Sequence, residues 1–168
     1  MLTTIGYERA SLADFIATLA HAKIEILVDI RDRAQSRIRG FSKSALSEAL
    51  KEAGINYLHF RQLGDPKEGR DAARQGRYDL FREIFREVMS TTSAKSALSE
   101  VQELATRKNI CLMCYERDYN LCHRKIVSEY LERVLSCKTT HLGVRSGMAN
   151  EWAAGRVLYP NQGPASSI

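Results

Sequence analysis

Ile26-Leu27-Val28-Asp29-Ile30 is an almost unbroken run of branched apolar residues. A strand with one face in water alternates apolar and polar positions, whereas a strand that is apolar at successive positions has both faces covered. That is the pattern of a strand inside a parallel sheet, which requires helices on its faces and crossover connections between its strands. The rest of the chain supplies them. Leu2 to Gly6 reads as a short strand, and Ser11-x-x-Asp14 as a capping box opening a helix with Leu12, Phe15, Ile16 and Leu19 at helical spacing. Ser42 is placed to cap a second helix with Leu46, Ala49, Leu50 and Ala53 on one face. Gly54 ends it, and Ile55 to Phe60 returns as a strand. Phe81, Ile84, Phe85 and Val88 mark a helix, and Ala97, Leu98, Val101 and Leu104 another. Ile110 to Cys114 is the fourth strand, Val127, Tyr130, Leu131 and Val134 mark the last clear helix, and Thr139 to Leu142 is a candidate fifth strand. The polar stretch Gly64 to Arg77 reads as a mobile loop or lid.

The expected fold is therefore α/β: a single three-layer domain over residues 1–142, with a mainly parallel sheet of about five strands. A C-terminal tail over 143–168 is expected to dock on the body or on a partner, with Trp152 and Tyr159 as its large anchors. At 168 residues the chain can bury a core without disulfide staples. Its 44% hydrophobic and 27% charged content excludes disorder for the bulk of it. No apolar run approaches the ~18 residues of a membrane span. The first residues show neither a basic nor a long apolar stretch, so no signal peptide is expected. The expected location is cytoplasmic, and the four cysteines are then thiols.

Charge narrows the partner. Twenty-five Lys and Arg stand against 20 Asp and Glu, a net charge of +5. The excess is concentrated: Arg31 to Arg39 contains four arginines and one acid, and Lys43 follows. Arginine suits bidentate phosphate contact, which points to nucleic acid, a nucleotide or another phosphate-bearing ligand. A solvated basic loop balancing acidic helices gives the same pattern without a ligand.

In open parallel sheets ligands sit beyond the carboxyl ends of the strands. The expected strand ends deliver Tyr7 after the first, Arg31, Arg37 and Lys43 after the second, and His59 and Arg61 after the third. Cys114-Tyr115-Glu116 through Cys122-His123-Arg124 follows the fourth. The candidates for chemistry are Cys114, Glu116, Cys122 and His123; those for substrate binding are Tyr7, Arg31, Arg37, Lys43 and Arg124. Cys122 is expected at a helix N-terminus, where the macrodipole lowers a thiol pKa and favours the thiolate. His123 can move a proton near neutral pH, and Glu116 can act as a general base or orient an arginine. A buried structural cysteine beside a polar helix cap is the bland alternative.

Structural zinc finds little support in the spacing. Cys111 and Cys114 lie three apart on a strand and so face opposite ways, and the neighbours Cys122 and His123 are not expected to reach one ion. No metal or cofactor is assigned. There is no Gly-x-Gly-x-x-Gly and no Walker loop. Cys111 to Arg117 fits Cys-x5-Arg, but its cysteine falls inside the strand rather than after it. His21, His141, Cys111 and Cys137 read as structural.

Taken in order, Thr4-Ile5-Gly6-Tyr7, Val28-Asp29-Ile30-Arg31 with Ser36-Arg37, Gly40-Phe41-Ser42-Lys43, Cys114-x-Glu116 and Cys122-His123-Arg124 resemble the family called domain of unknown function 488. The resemblance covers most of residues 1–142. It implies an α/β domain and supplies no reaction. The chain departs from the family pattern at Ala34-Gln35, where a proline is usual nearby, and at Gly64-Asp65, where two glycines are frequent. A weaker similarity runs to rhodanese-like domains, through the Asp-x-Arg ending of the second strand, a cysteine after a later strand, and Gly147 with Trp152. The leading expectation is an enzyme directed at nucleic acid or a nucleotide. The alternatives are a non-catalytic basic module that binds nucleic acid and a sulfurtransferase using Cys114 or Cys122. The oligomeric state is not legible.

Overall fold

The structure, a computed structural model, describes residues 1–155. Strands β1 (Leu2–Gly6), β2 (Ile26–Asp29), β3 (Asn56–His59), β4 (Ile110–Cys114) and β5 (Thr140–Leu142) form one sheet in the order β3-β2-β4-β1-β5. Every pairing is parallel. The central strand β4 is buried along its whole length and sets Cys114 opposite Gly6 and Met113 opposite Asp29.

Two apolar layers cover the sheet. Helices α1 (Leu12–His21) and α2 (Lys43–Glu52) bring Phe15, Leu19, Leu46 and Leu50 against Ile5, Leu27, Cys111 and Met113. On the other face lie α4 (Tyr78–Ser90), α5 (Thr92–Arg107) and α6 (His123–Leu135). Their Phe85, Leu98, Val101, Val127 and Leu131 pack on Leu2, Ile26, Val28, Ile110 and Leu112. The side chains of β4 thus alternate between two cores, as the pleat requires. Among the described residues no helix is long and apolar enough to cross a membrane.

Local signals explain most boundaries. Ser11 caps α1 by accepting the Asp14 N–H at 3.1 Å, and its hydroxyl donates to the Asp14 carboxylate at 2.8 Å. Ser42 precedes α2 but spends its hydroxyl on the Ser36 carbonyl instead of the helix. The stretch expected to be a lid is not a loop throughout. Residues Lys67–Arg74 form helix α3, packed against α4. Pro66 opens it, Glu68 lies in its first turn and Arg74 in its last, the arrangement a helix dipole favours. Its buried face is made of Gly69 and Ala72 with no large apolar side chain, which is why a reading of apolar spacing passed over it. Near the end of the described chain, α7 (Met148–Ala153) packs on α1. The Ala149 N–H donates to Asp14 at 2.9 Å and holds that carboxyl below its usual range. Trp152 meets the His21 ring edge-on; Tyr159 lies outside the described residues.

One ion pair organises the strand ends. Asp29, fully buried, faces Arg31, 6% exposed, with Arg31 Nη2 2.6 Å from the carboxylate and Nε at 2.9 Å. Arg31 Nη1 donates to the Tyr7 hydroxyl at 2.9 Å and to the Phe41 carbonyl at 2.8 Å. The Tyr7 ring stacks on Phe41 at 4.4 Å, and the Tyr57 hydroxyl donates to Asp29. Truncating Arg31 leaves the Asp29 charge buried without its partner, which costs about 3–5 kcal/mol. Arg31→Ala is therefore expected to destabilise the fold by that amount, read as a lower urea midpoint of unfolding. Arg31→Lys is expected to recover only part of it, because an ammonium cannot reproduce the guanidinium fork.

Candidate functional site

The sheet reverses its winding at β4. After β2 the chain crosses to α2 on one face, and after the adjacent β4 it crosses to α6 on the other. Diverging connections open a crevice at the strand ends, where ligands bind in this class of fold. The crevice holds Cys114 at the end of β4, Glu116 in the following loop, and Cys122 and His123 where α6 begins. A cleft of about 320 Å³ opens above them, lined by Glu116, Cys122 and His123 together with Glu8, Asp65, Arg70, Arg74, Tyr78 and Tyr115.

Buried donors hold the loop between β4 and α6 in place. Arg124, 1% exposed, donates from Nη1 to the Glu116 carbonyl and from Nη2 to the Arg117 carbonyl at 3.0 Å. The Arg117 N–H donates to Glu8 at 3.1 Å. The loop runs so close over the end of β1 that a Cβ at Gly6 would stand 1.8 Å from the Glu116 carbonyl oxygen; only glycine fits there.

His123 bridges the crevice. Its Nε2 lies 2.8 Å from the Ile30 carbonyl, which fixes a proton on that nitrogen. Its Nδ1 faces Cys114 Sγ at 3.6 Å and Cys122 Sγ at 3.8 Å. Cys114 donates to Glu116 Oε2 at 3.0 Å. The Phe85 ring, 5.1 Å from the imidazole, closes the apolar side. Burial pulls the His123 pKa down, but Cys122, Glu116 and the Ile30 carbonyl outweigh it and push it up to about 9. Burial pushes Cys122 well above, and Cys114 above, the ordinary thiol range. Glu116 falls below the ordinary carboxyl value: burial opposes this, and the hydrogen bond from Cys114 and the charge on His123 prevail.

A family model described as Domain of unknown function DUF488 matches residues 11–131, a span that contains α1 to most of α6 and every one of these site side chains except Glu8. The chain belongs to the DUF488 family. Comparison with curated proteins gave no match, and comparison with solved structures gave none.

Within this DUF488 domain the sequence-derived candidates separate into three groups. Cys114, Glu116, Cys122 and His123 share the crevice. Tyr7, Arg31 and Arg124 are buried and bonded to protein partners, Arg124 through Nη1 and Nη2 while its Nε has no partner, so they shape the strand ends rather than reach outward. Arg37 and Lys43 are exposed, and Lys43 lines a second, wider hollow of about 590 Å³ with Arg33, His59 and Arg61. Arg31, Arg37, Glu116 and Cys122 therefore do not line one concave surface as expected. Asp32 stands between the two clefts, accepting from Arg61 and from Arg70, each at 3.3 Å.

Two further expectations are corrected. Cys122 does cap α6, its sulfur 3.5 Å from the Arg124 N–H, yet its thiol is not driven toward the thiolate, because burial opposes the helix dipole. The neighbours Cys122 and His123 do converge. Cys122 keeps extended backbone (φ −131°, ψ 145°) while His123 is the first helical residue, and this break turns two adjacent side chains to one side. Sequence reasoning also missed Asp65, whose buried carboxylate stands in the cleft with Oδ1 unpartnered and whose pKa burial pushes up to about 6. The signal was present: Asp65-Pro66 is a helix start, and Gly69 leaves the space that the Asp65 carboxylate fills. Burial predicts the order of thiol alkylation. Cys137, half-buried, is expected to react first with iodoacetamide at pH 7. Cys114, Cys122 and Cys111, the last with a pKa that burial pushes up to about 12, should follow much later, as peptide mapping over time reads directly.

Proposed function

We propose that the protein is an enzyme acting on a phosphate-bearing substrate of the nucleotide or nucleic-acid class, with Cys114, Glu116, Cys122 and His123 as its chemical centre. The observation that carries this reading is the gathering of two thiols, an imidazole and a carboxylate around a cleft at the reversal point of the sheet. Catalytic groups need a floor that does not move, and His123 is held from the Ile30 carbonyl and by the Phe85 ring. Glu116, held ionised, is the proton acceptor of the set.

Phosphate contact needs cations that can reach outward. Arg31 and Arg124 are bound internally, so the role passes to Arg33, Arg37, Lys43, Arg61 and Arg74 at the two clefts and on the loop after β2. The wider hollow, with Arg33, Lys43 and Arg61, is the cationic one, whereas the cleft over the chemical centre also carries Glu8, Asp65, Glu116 and Asp118, so a polyanionic substrate would rest its phosphates on the loop after β2. The free thiols suit a reducing, cytoplasmic setting.

Fluorescence anisotropy with labelled single-stranded RNA, single-stranded DNA and duplex DNA, read across a salt series, tests the substrate class. Affinity should fall steeply with salt. Replacing Arg33, Arg37 and Lys43 with Ala should flatten the slope by roughly one unit for each phosphate that is no longer neutralised. Cys122→Ser should bind as the parent does. Absence of binding at low salt to all three probes would remove nucleic acid as the substrate.

A further inference from the structure

We propose that Cys114, Cys122 and His123 bind one thiophilic divalent ion of the zinc class, with the fourth coordination position open to the cleft. The geometry is that of a tetrahedron missing its centre. Around zinc, with Zn–S of about 2.3 Å and Zn–N of about 2.05 Å, a sulfur and a nitrogen stand about 3.6 Å apart and two sulfurs about 3.8 Å. The two S···Nδ1 separations are 3.6 Å and 3.8 Å, and all three donor atoms lie within 4.8 Å of one another.

Independent features agree. An imidazole that binds metal through one nitrogen characteristically donates its other N–H to a carbonyl or carboxylate, which fixes the ring. His123 does so from Nε2 to Ile30, leaving Nδ1 directed at the sulfurs. Asp65 brings a further buried carboxylate to the wall of the same cleft, its Oδ1 seated against Gly69 of α3 rather than among the three donors. Charge agrees as well. With the ion bound, two thiolates and the Glu116 carboxylate stand beside the buried guanidinium of Arg124, and the divalent charge brings that set to neutrality. Soft sulfur with one imidazole selects zinc over magnesium or calcium, which take oxygen ligands.

The exchange balances. Each cysteine releases its proton to solvent as its sulfur–metal bond forms, the proton that the imidazolium carries on Nδ1 leaves with them, and His123 then binds through the freed Nδ1 lone pair while its Nε2 proton stays on the Ile30 carbonyl. Three protein ligands leave the position that catalytic rather than structural zinc sites keep open. Glu116, Cys122 and His123 border the cleft where a water or substrate atom would complete the shell. This deepens the reading of the crevice as a chemical centre and is independent of the substrate class. Nucleic-acid binding can fail while the ion is held, and the reverse result would leave the basic surface standing without it.

Cobalt(II) titration of the full reduced chain, stripped of metal with a chelator, tests the site. Wild type should take up about one cobalt per chain, with thiolate-to-cobalt charge transfer in the near ultraviolet and the intense visible bands of four-coordinate cobalt, and zinc should displace it. Elemental analysis of protein purified without a metal column should find zinc at the same ratio. Cys114→Ser, Cys122→Ser and His123→Asn should weaken cobalt binding beyond the roughly 10–100-fold that loss of an outer hydrogen-bond partner costs. Cys137→Ser and Glu116→Gln should retain the stoichiometry. Because a crevice variant can misfold, the wild-type spectrum is decisive by itself. No cobalt spectrum from folded, reduced wild type overturns the proposal, as does full occupancy in folded Cys122→Ser or His123→Asn. A Cys114–Cys122 disulfide in metal-free protein as isolated would overturn it in favour of a dithiol redox pair.

Discussion

The Asp29–Arg31 pair governs what happens at the strand ends. Asp29 accepts the Arg31 N–H at 3.0 Å as well as its guanidinium, so the chain turns sharply just as β2 leaves the sheet. That turn aims two successive carbonyls in useful directions: the Ile30 oxygen meets His123 Nε2, and the Arg31 oxygen meets His59 Nε2 at 2.7 Å. Through Tyr7 and Phe41 the same guanidinium ties the loop after β1 to the loop before α2. A buried ion pair adds little net stability over an apolar filling of the same shape, but it tolerates no loss of one partner. Its contribution here is directional, holding a backbone oxygen where the imidazole of the crevice needs it.

At the start of α6 two physical effects oppose each other, and their sizes decide the outcome. A helix N-terminus favours an anion by about 0.3–1 kcal/mol, and by up to about 2 when partly buried. Full burial moves a thiol by as much as several pKa units, at about 1.36 kcal/mol per unit. Cys122 is buried between α6 and the β4 end, and desolvation prevails. A buried thiol in such a place gains its anionic form only with a positive partner inside the protein, whether an imidazolium or an ion.

The sheet was legible because its signals are local and periodic. The run at Ile26–Ile30, the Ser11–Asp14 box and the Gly54 turn each state their element within a few residues, and the parallel pairing follows from alternation of strand and helix. The crevice was legible as a set of residues, since one short connection carries Cys114 through Arg124. Its wiring was not. Whether an arginine faces solvent or folds inward depends on partners far away in sequence: Arg31 on Tyr7, and Arg124 on a loop that passes only because residue 6 is glycine. For α3 the reason is different: its buried face is sharply defined but consists of Gly69 and Ala72, too small to register as an apolar stripe.

The place of β4 in the sheet has a consequence for how the chain is made. It is the middle strand in space, yet it is fourth in sequence, and its partners on both sides were synthesised about a hundred residues earlier in the case of Leu2 and some eighty earlier for Ile26. Until β4 emerges, β1 has no neighbour on either side, because β5 comes later still. The β2–β3 pair with α1 and α2 can form first, as a half-sheet with one raw edge. High contact order of this kind slows folding and exposes strand edges to other nascent chains. A ribosome stalled before residue 110 would therefore display an aggregation-prone intermediate, whereas one stalled after β5 has emerged would display a chain able to close its own sheet.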